Sequence, residues 1–124
     1  MDYINRENKY TQVSLSHTKN IQDKLFKEIV GRIKKDDNSV PYFENGYYYY
    51  TRYEMNKEYA VHCRKKVSLD GTEEILIDEN ILSEGYDYFA LRGMTVSPNN
   101  NWLAYGIDTL SRQFYDIHFK NLKT

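Results

Sequence analysis

Apolar and polar positions alternate with two different periods in the two parts of this chain. In the first part Ile21, Leu25, Ile29 and Ile33 recur every four positions, widened by Phe26 and Val30, which is the stripe of an amphipathic helix. The spacing predicts a helix over Thr18 to Lys34, with Thr18 as its N-cap and Lys34 and Lys35 at the negative end of its dipole. A weaker helical pattern, carried by Tyr3, Tyr10 and Val13, covers Tyr3 to Leu15. Asp36, Asp37, Asn38 and Ser39 then form a polar break.

After the break the period falls to two. Val40 to Glu44 is a short strand candidate, with Pro41 near its start where a missing N–H is tolerated. Asn45-Gly46 is a strong hairpin signal, because both residues accept positive φ. Tyr47 to Tyr53 is then aromatic or β-branched almost throughout, the composition of a strand. Glu54, Met55, Asn56 and Lys57 interrupt it. Glu58 to Lys66 alternates again, with Tyr59, Val61 and Cys63 on one face and Ala60, His62 and Arg64 on the other. This hairpin, Gly46 to Lys66, is where the chain changes architecture. Asp70-Gly71 marks another turn before Ile75, Leu76 and Ile77 in a strand over Glu74 to Asp78, so Val40 to Asp78 is expected to be a four-stranded antiparallel meander. Asn80 to Gly85 reads as one helical turn closed by Gly85. Strands over Tyr88 to Ser97, Trp102 to Ile107 and Gln113 to Lys120 follow, separated by turns at Ser97 to Asn101 and Asp108 to Arg112.

These elements give a mainly β fold with N-terminal α-helices, built of antiparallel meanders. A four-stranded meander followed by three strands of another matches the arithmetic of β-propeller blades. A single mixed sheet or sandwich with two helices on one face fits the same pattern. In the propeller reading the helical segment is 1–37 and the partial propeller 38–124, with one blade at 38–79 and an incomplete one at 86–124.

Composition narrows the classes. A chain of 124 residues with 40% hydrophobic residues can form one core. Lys and Arg total 17 against 18 for Asp and Glu, so a net charge of -1 supplies no field to attract nucleic acid or an anionic membrane. No apolar run approaches the roughly 20 residues that span a bilayer, and Met1 to Arg6 lacks a signal-peptide pattern, so a soluble, cytoplasmic protein is expected. The lone cysteine, Cys63, has no internal disulfide partner and suits a reducing compartment. The 13 tyrosines are too many to hide separately and imply strands with aromatic faces on both sides.

Candidate chemistry is sparse. His62 and Cys63 are adjacent, but strand neighbours point to opposite faces and a metal site needs three or four convergent ligands, so both are read as structural. His17 and His118 have no acid or nucleophile that spacing brings near them. The tyrosine run could stack single-stranded nucleic acid, yet that function comes with a basic groove, so blade packing is preferred. Arg64-Lys65-Lys66 and Lys34-Lys35 read as solvated ends of elements. No catalytic, cofactor-binding or metal-ligating residue is assigned.

At Val96-Ser97-Pro98-Asn99-Asn100-Asn101-Trp102-Leu103-Ala104-Tyr105 the chain resembles the strand-turn-strand element of propeller blades in the prolyl oligopeptidase family of serine peptidases, with Asn99-Asn100 in place of Asp-Gly. The stretches Val30 to Ile33 before Asp36-Asp37, Ser39 to Tyr42, Gly46 to Tyr53, Lys57 to Tyr59, Asp87 to Leu91 and Phe119 to Leu122 resemble, in order, the oligopeptidase B (protease II) branch of that family. The resemblance implies a large enzyme whose seven-bladed propeller caps an α/β-hydrolase domain and admits only short peptides, cleaved after Arg or Lys. It places this chain in the N-terminal helices, the first blade and most of the second, and implies that the natural protein has sequence before Met1. An α/β-hydrolase nucleophile sits in Gly-x-Ser-x-Gly, and none of the six glycines is followed two places later by serine. The chain alone is therefore expected to be inactive, to contribute gating and domain docking, and to self-associate through open strand edges such as Gln113 to Lys120 or by exchanging helices. The alternative is a free-standing interaction module that binds peptides by edge pairing.

Overall fold

The computed structural model describes all of residues 1–124. They divide into two compact units, residues 1–34 and 35–124. The first unit holds α1 (Asp2–Ser14), a short 3-10 turn (Ser16–Thr18) and α2 (Lys19–Gly31). Thr18 does not cap α2 in the expected way. It keeps a helical backbone because the 3-10 turn runs straight into the helix, and its hydroxyl instead donates to Leu15 O at 2.6 Å and accepts from Gln22 Nε2 at 2.8 Å. The helix stops at Gly31 rather than Lys34, where the poorest helix former other than proline removes the incentive to continue. Ile33 N then reaches back only to Val30 O, a tightened last turn.

The second unit is two antiparallel sheets, not one mixed sheet. The first contains β1 (Asp37–Asn38), β2 (Tyr42–Glu44), β3 (Tyr47–Tyr53), β4 (Val61–Lys66) and β5 (Glu73–Asp78); the second contains β6 (Ala90–Val96), β7 (Trp102–Asp108) and β8 (Asp116–Asn121). Between them lies the one-turn helix α3 (Glu79–Leu82), one residue earlier than the pattern suggested because the Asp78 carboxylate caps it from outside, accepting from Asn80 N at 2.9 Å. The edge row expected over Val40 to Glu44 is two pieces. Asn38 pairs with Arg52 and Tyr42 with Tyr49, so Ser39, Val40 and Pro41 span the space of Tyr50 and Thr51. Pro41 has no N–H to give the ladder, and Ser39 occupies both Thr51 backbone groups: its N–H donates to Thr51 O at 2.8 Å and its Oγ accepts from Thr51 N at 2.9 Å. Part of the expected polar break, Asp37–Asn38, is thus strand.

Several strand ends move for one reason, a side chain satisfying backbone that the ladder otherwise would. β4 starts at Val61 rather than Glu58 because the Asn80 amide pairs with Tyr59, Oδ1 accepting from its N–H at 2.9 Å and Nδ2 donating to its carbonyl at 3.0 Å. β8 starts at Asp116 rather than Gln113 because the Asp108 carboxylate accepts the N–H groups of Leu110, Arg112 and Gln113 at 2.8, 3.1 and 2.8 Å. In β5 the register skips Leu76 between His62↔Ile77 and Cys63↔Ile75, and this bulge turns two consecutive residues, Leu76 and Ile77, into the core. Gly93, at φ +65, lies in a second irregularity within β6. The Asn45-Gly46 turn takes the predicted positive φ at both residues, 47° and 84°, and Asn100 at 59° fills the role of glycine after Pro98.

Both sheets supply the core. Tyr49, Leu76 and Ile77 from the first pack with Phe89, Leu91 and Leu103, and Tyr59 meets Phe89 edge to face at 5.7 Å between ring centres. Lys120 Nζ donates to Leu76 O at 2.8 Å, a polar tie from β8 to β5.

Candidate functional site

The register of β3, β4 and β5 places Tyr50, Arg52, Cys63 and Glu73 on one face of the first sheet. There the Glu73 carboxylate accepts from the Tyr50 hydroxyl and from Arg52 Nε at 3.2 Å, while Arg52 Nη1 donates to Glu54. Partial burial by itself would raise the Glu73 carboxyl, but the bonds from Tyr50 and Arg52 bring it below the ordinary 4.5. Burial and the same bond drive the Tyr50 hydroxyl upward, and the Glu54 contact raises Arg52. Burial, then the Glu73 charge, push the Cys63 thiol up to about 11. Since the thiolate is the nucleophile, this buried thiol is inert at neutral pH; its Sγ faces the Val61 carbonyl at 3.8 Å. The Arg52 cation between two carboxylates, with the Tyr50 hydroxyl on one of them, ties β3 to β5 across β4.

On the other face His62 Nε2 lies 2.6 Å from Glu79 Oε1, both side chains about five-sixths buried, 16% and 15% exposed. A carboxylate orienting an imidazole is two thirds of a catalytic triad. No hydroxyl or thiol is bonded to this ring, so the pair fastens β4 to α3. Elsewhere, His17 Nδ1 lies 3.0 Å from the Ser14 carbonyl and His118 stacks on Tyr105 at 5.4 Å. No group of three His, Cys, Asp or Glu residues converges as a metal site would require. The tyrosines of β3 pack as a ladder, Tyr49 on Tyr42 at 5.5 Å and Tyr48 on Phe43 at 4.8 Å.

Two residues behave differently from their sequence reading. Arg64 is not a solvated strand end: it is 2% exposed, lies 4.1 Å over the Tyr47 ring, and donates through Nε to Glu74 at 2.7 Å. Asp108, given no role beyond a turn, is almost wholly buried. Burial alone would raise its carboxyl, yet the backbone N–H groups of Leu110, Gln113, Arg112 and Ser111 hold it below 3.8. An Asp closing a strand just before a loop is the available signal for such a role.

The remaining surface of note is apolar. Ile117 and Phe119 of β8 are each 70% exposed on a strand paired on one side only, with β7. Ile21, Leu25, Phe26 and Ile29 of α2 are likewise exposed. What the geometry offers is contact surface and rigid strand ties rather than a reacting group.

Comparison with known proteins identifies what carries such a surface. The family described as Prolyl oligopeptidase, N-terminal beta-propeller domain matches residues 1–124. Dipeptidyl aminopeptidase BI of Pseudoxanthomonas mexicana is 42% identical over 98% of this chain, and Protease 2 of Moraxella lacunata 26% identical over 100% of it. Among solved structures, oligopeptidase B from Leishmania major superimposes on 98% of the chain with a TM-score of 0.84 at 28% identity, which uses 18% of that protein. The chain spans 19% of the length of each of the two curated relatives.

Proposed function

The chain belongs to the prolyl oligopeptidase family, within its N-terminal β-propeller domain, and on that premise we propose that it forms the opening part of a cytoplasmic serine oligopeptidase that cleaves short peptides after Arg or Lys. In this reading the sheet β1 to β5 is the first blade and β6 to β8 are three strands of the second. These residues restrict access to a catalytic chamber and dock an α/β-hydrolase domain encoded outside them. The observation that carries the reading is the superposition on oligopeptidase B over 98% of the chain, in which two sheets succeed one another as blades do.

The first experiment is the mass of the native gene product, detected in source cells with an antibody raised against this chain. A band several times larger than 14.9 kDa is expected. A band at the size of the chain would replace the peptidase with a free-standing peptide-binding module. The larger product is then assayed on two substrates, an arginyl peptide blocked at its amino end and a tripeptide with a free one. Cleavage of the blocked substrate supports an endo-acting oligopeptidase. Release of dipeptides from the free one alone would place it with the aminopeptidase relative and overturn the specificity. The purified 124-residue chain is expected to turn over neither. Its one-sided strand β8, with Ile117 and Phe119 exposed, is expected to drive self-association at high concentration. Light scattering checks this: Ile117→Lys should lower the apparent mass, and a parent chain that stays monomeric would refute it.

A further inference from the structure

Where the ends of the two sheets meet, a cavity holds chemistry that no tie described above uses. The Asn45-Gly46 turn and the turn after Pro98 are stapled together by Asn45 Nδ2 donating to Pro98 O at 2.6 Å and Asn100 Nδ2 donating to Asn45 O at 3.1 Å. Beside the staple is an opening of about 440 Å³ whose lining includes Tyr47, Arg64, Lys66, Glu74, Asn100 and Lys123. Arg64 is 2% exposed and pinned between the Tyr47 ring and Glu74, yet its Nη1 is buried without a partner. Asn100 Oδ1 is buried without a partner as well. The Asn100 amide cannot be turned to exchange its ends, because Nδ2 faces the Asn45 carbonyl, which only accepts. Buried polar atoms left unpaired are rare and call for an explanation.

Two residues that line one opening therefore each keep an unused polar atom, a cationic donor on Arg64 and an amide acceptor on Asn100. The charges that line it are Arg64, Lys66 and Lys123 against Glu74 alone, and Glu74 is already engaged by Arg64. We infer that this cavity binds a peptide carboxylate, the carboxylate accepting from Arg64 Nη1 while the neighbouring amide N–H of the same residue donates to Asn100 Oδ1. A guanidinium is suited to a carboxylate by charge and by its planar donors. A bare oxyanion answers the arginine but leaves the Asn100 oxygen unpaired, whereas a peptide residue answers both. Two sources carry this chemistry, the last residue of a peptide chain and an acidic side chain within one.

The test is a titration of the 15N-labelled chain, read from backbone and side-chain amide shifts. The probes are N-acetylglycine, the α-amide of N-acetylaspartate, and the neutral N-acetylglycinamide. Saturable shifts confined to Gly46, Asn100 and Asn101 are expected with a carboxylate probe, with a Kd on the order of millimolar. The neutral amide is expected to bind at least about tenfold more weakly. Tighter binding of N-acetylglycine assigns the site to a chain terminus, and tighter binding of the aspartate derivative to an acidic side chain. Arg64→Lys keeps the charge but loses the planar fork and is expected to weaken binding about tenfold. Because Arg64 is also packed, Asn100→Ser at a half-buried turn is the second variant, with a comparable loss expected. The inference fails if no carboxylate probe saturates, if the neutral amide binds equally well, or if Asn100→Ser binds as tightly as the parent.

Discussion

Residues 1–34 and 35–124 show regular structure without burial and regular structure because of burial. Helices α1 and α2 are each 13 residues long and bury no residue at all. In the sheets Val61 and Leu103 are 0% exposed and Leu76 and Cys63 1%. The helices rest on bonds between near neighbours, and 13 residues is about the length at which an isolated helix is marginal in water. The sheets rest on pairings between distant residues over a dry core. An apolar stripe at helical spacing thus marks a face suited to burial; it does not show that the face is buried.

The sharpest way to break this comparison is to remove the same side chain from each region. Leu103→Ala opens a cavity at a site of 0% exposure and is expected to cost about 3–5 kcal/mol of unfolding free energy, measured by urea titration. Leu25→Ala, at 49% exposure and with alanine the better helix former, is expected to change it by less than about 0.5 kcal/mol. Equal losses at the two sites would refute the comparison.

A smaller effect tests what the polar face of the first sheet adds. Glu73→Gln keeps the shape but removes the charge facing Arg52 and Tyr50, and about 1–2 kcal/mol is expected to be lost at neutral pH. The folded-state carboxyl is held below 4.5, so its contribution is present above that value and is lost as pH falls through the lower, folded one. The parent chain should therefore lose stability below about pH 4.5 more steeply than the variant. Some acid sensitivity will survive in the variant, because Asp108 is held low in the same sense. Identical acid limbs would show that Glu73 does not act electrostatically. Val67 supplies a change of opposite sign. It is a β-branched residue at φ 63°, 70% exposed, its N–H bonded to Gly46 O at 3.0 Å. Val67→Gly relieves that conformation and is expected to stabilise by about 0.5–1 kcal/mol, visible as a rise in Tm.

The order and type of the long elements were legible because each carries its period in its own residues, as β3 does with Tyr47 to Tyr53 and α2 with Ile21 to Ile29. The ends were not, since they are decided by side chains far along or outside the element. Asp108 gathers the N–H groups that delay β8, Asn80 pairs with Tyr59 and shortens β4, and Pro41 splits the edge row. The alternation that put Val61 and Cys63 opposite Arg64 was sound, yet it did not show that both faces are buried there. That depends on β5 and its bulge on one side and on Tyr47 and Glu74 on the other. The cavity beside Asn100 had no local signal at all. It is closed on one side by two turns more than fifty positions apart and lined beyond them by residues of β3, β4, β5 and the C-terminal end, and no stretch of sequence holds them together.

The least disruptive change returns to residues 1–34. Lys19 and Asp23 form an i,i+4 ion pair on α2 at 3.1 Å, with 71% and 54% of their side chains exposed. If the order of α2 came from burial, such a pair would matter little to its helicity. With no residue of α2 buried, local pairs of this kind form a larger share of what holds it. Asp23→Asn removes the pair and is expected to cost no more than about 0.5 kcal/mol, too little to move the urea midpoint of the sheets. Its signature should be regional: faster hydrogen exchange at the amides of α2, an effect reproduced in the parent chain by about 0.5 M salt, and no change at β3, β4 or β7. Exchange that quickens equally in the strands would mean that the helical unit and the sheets open as one body, and the contrast between them would collapse.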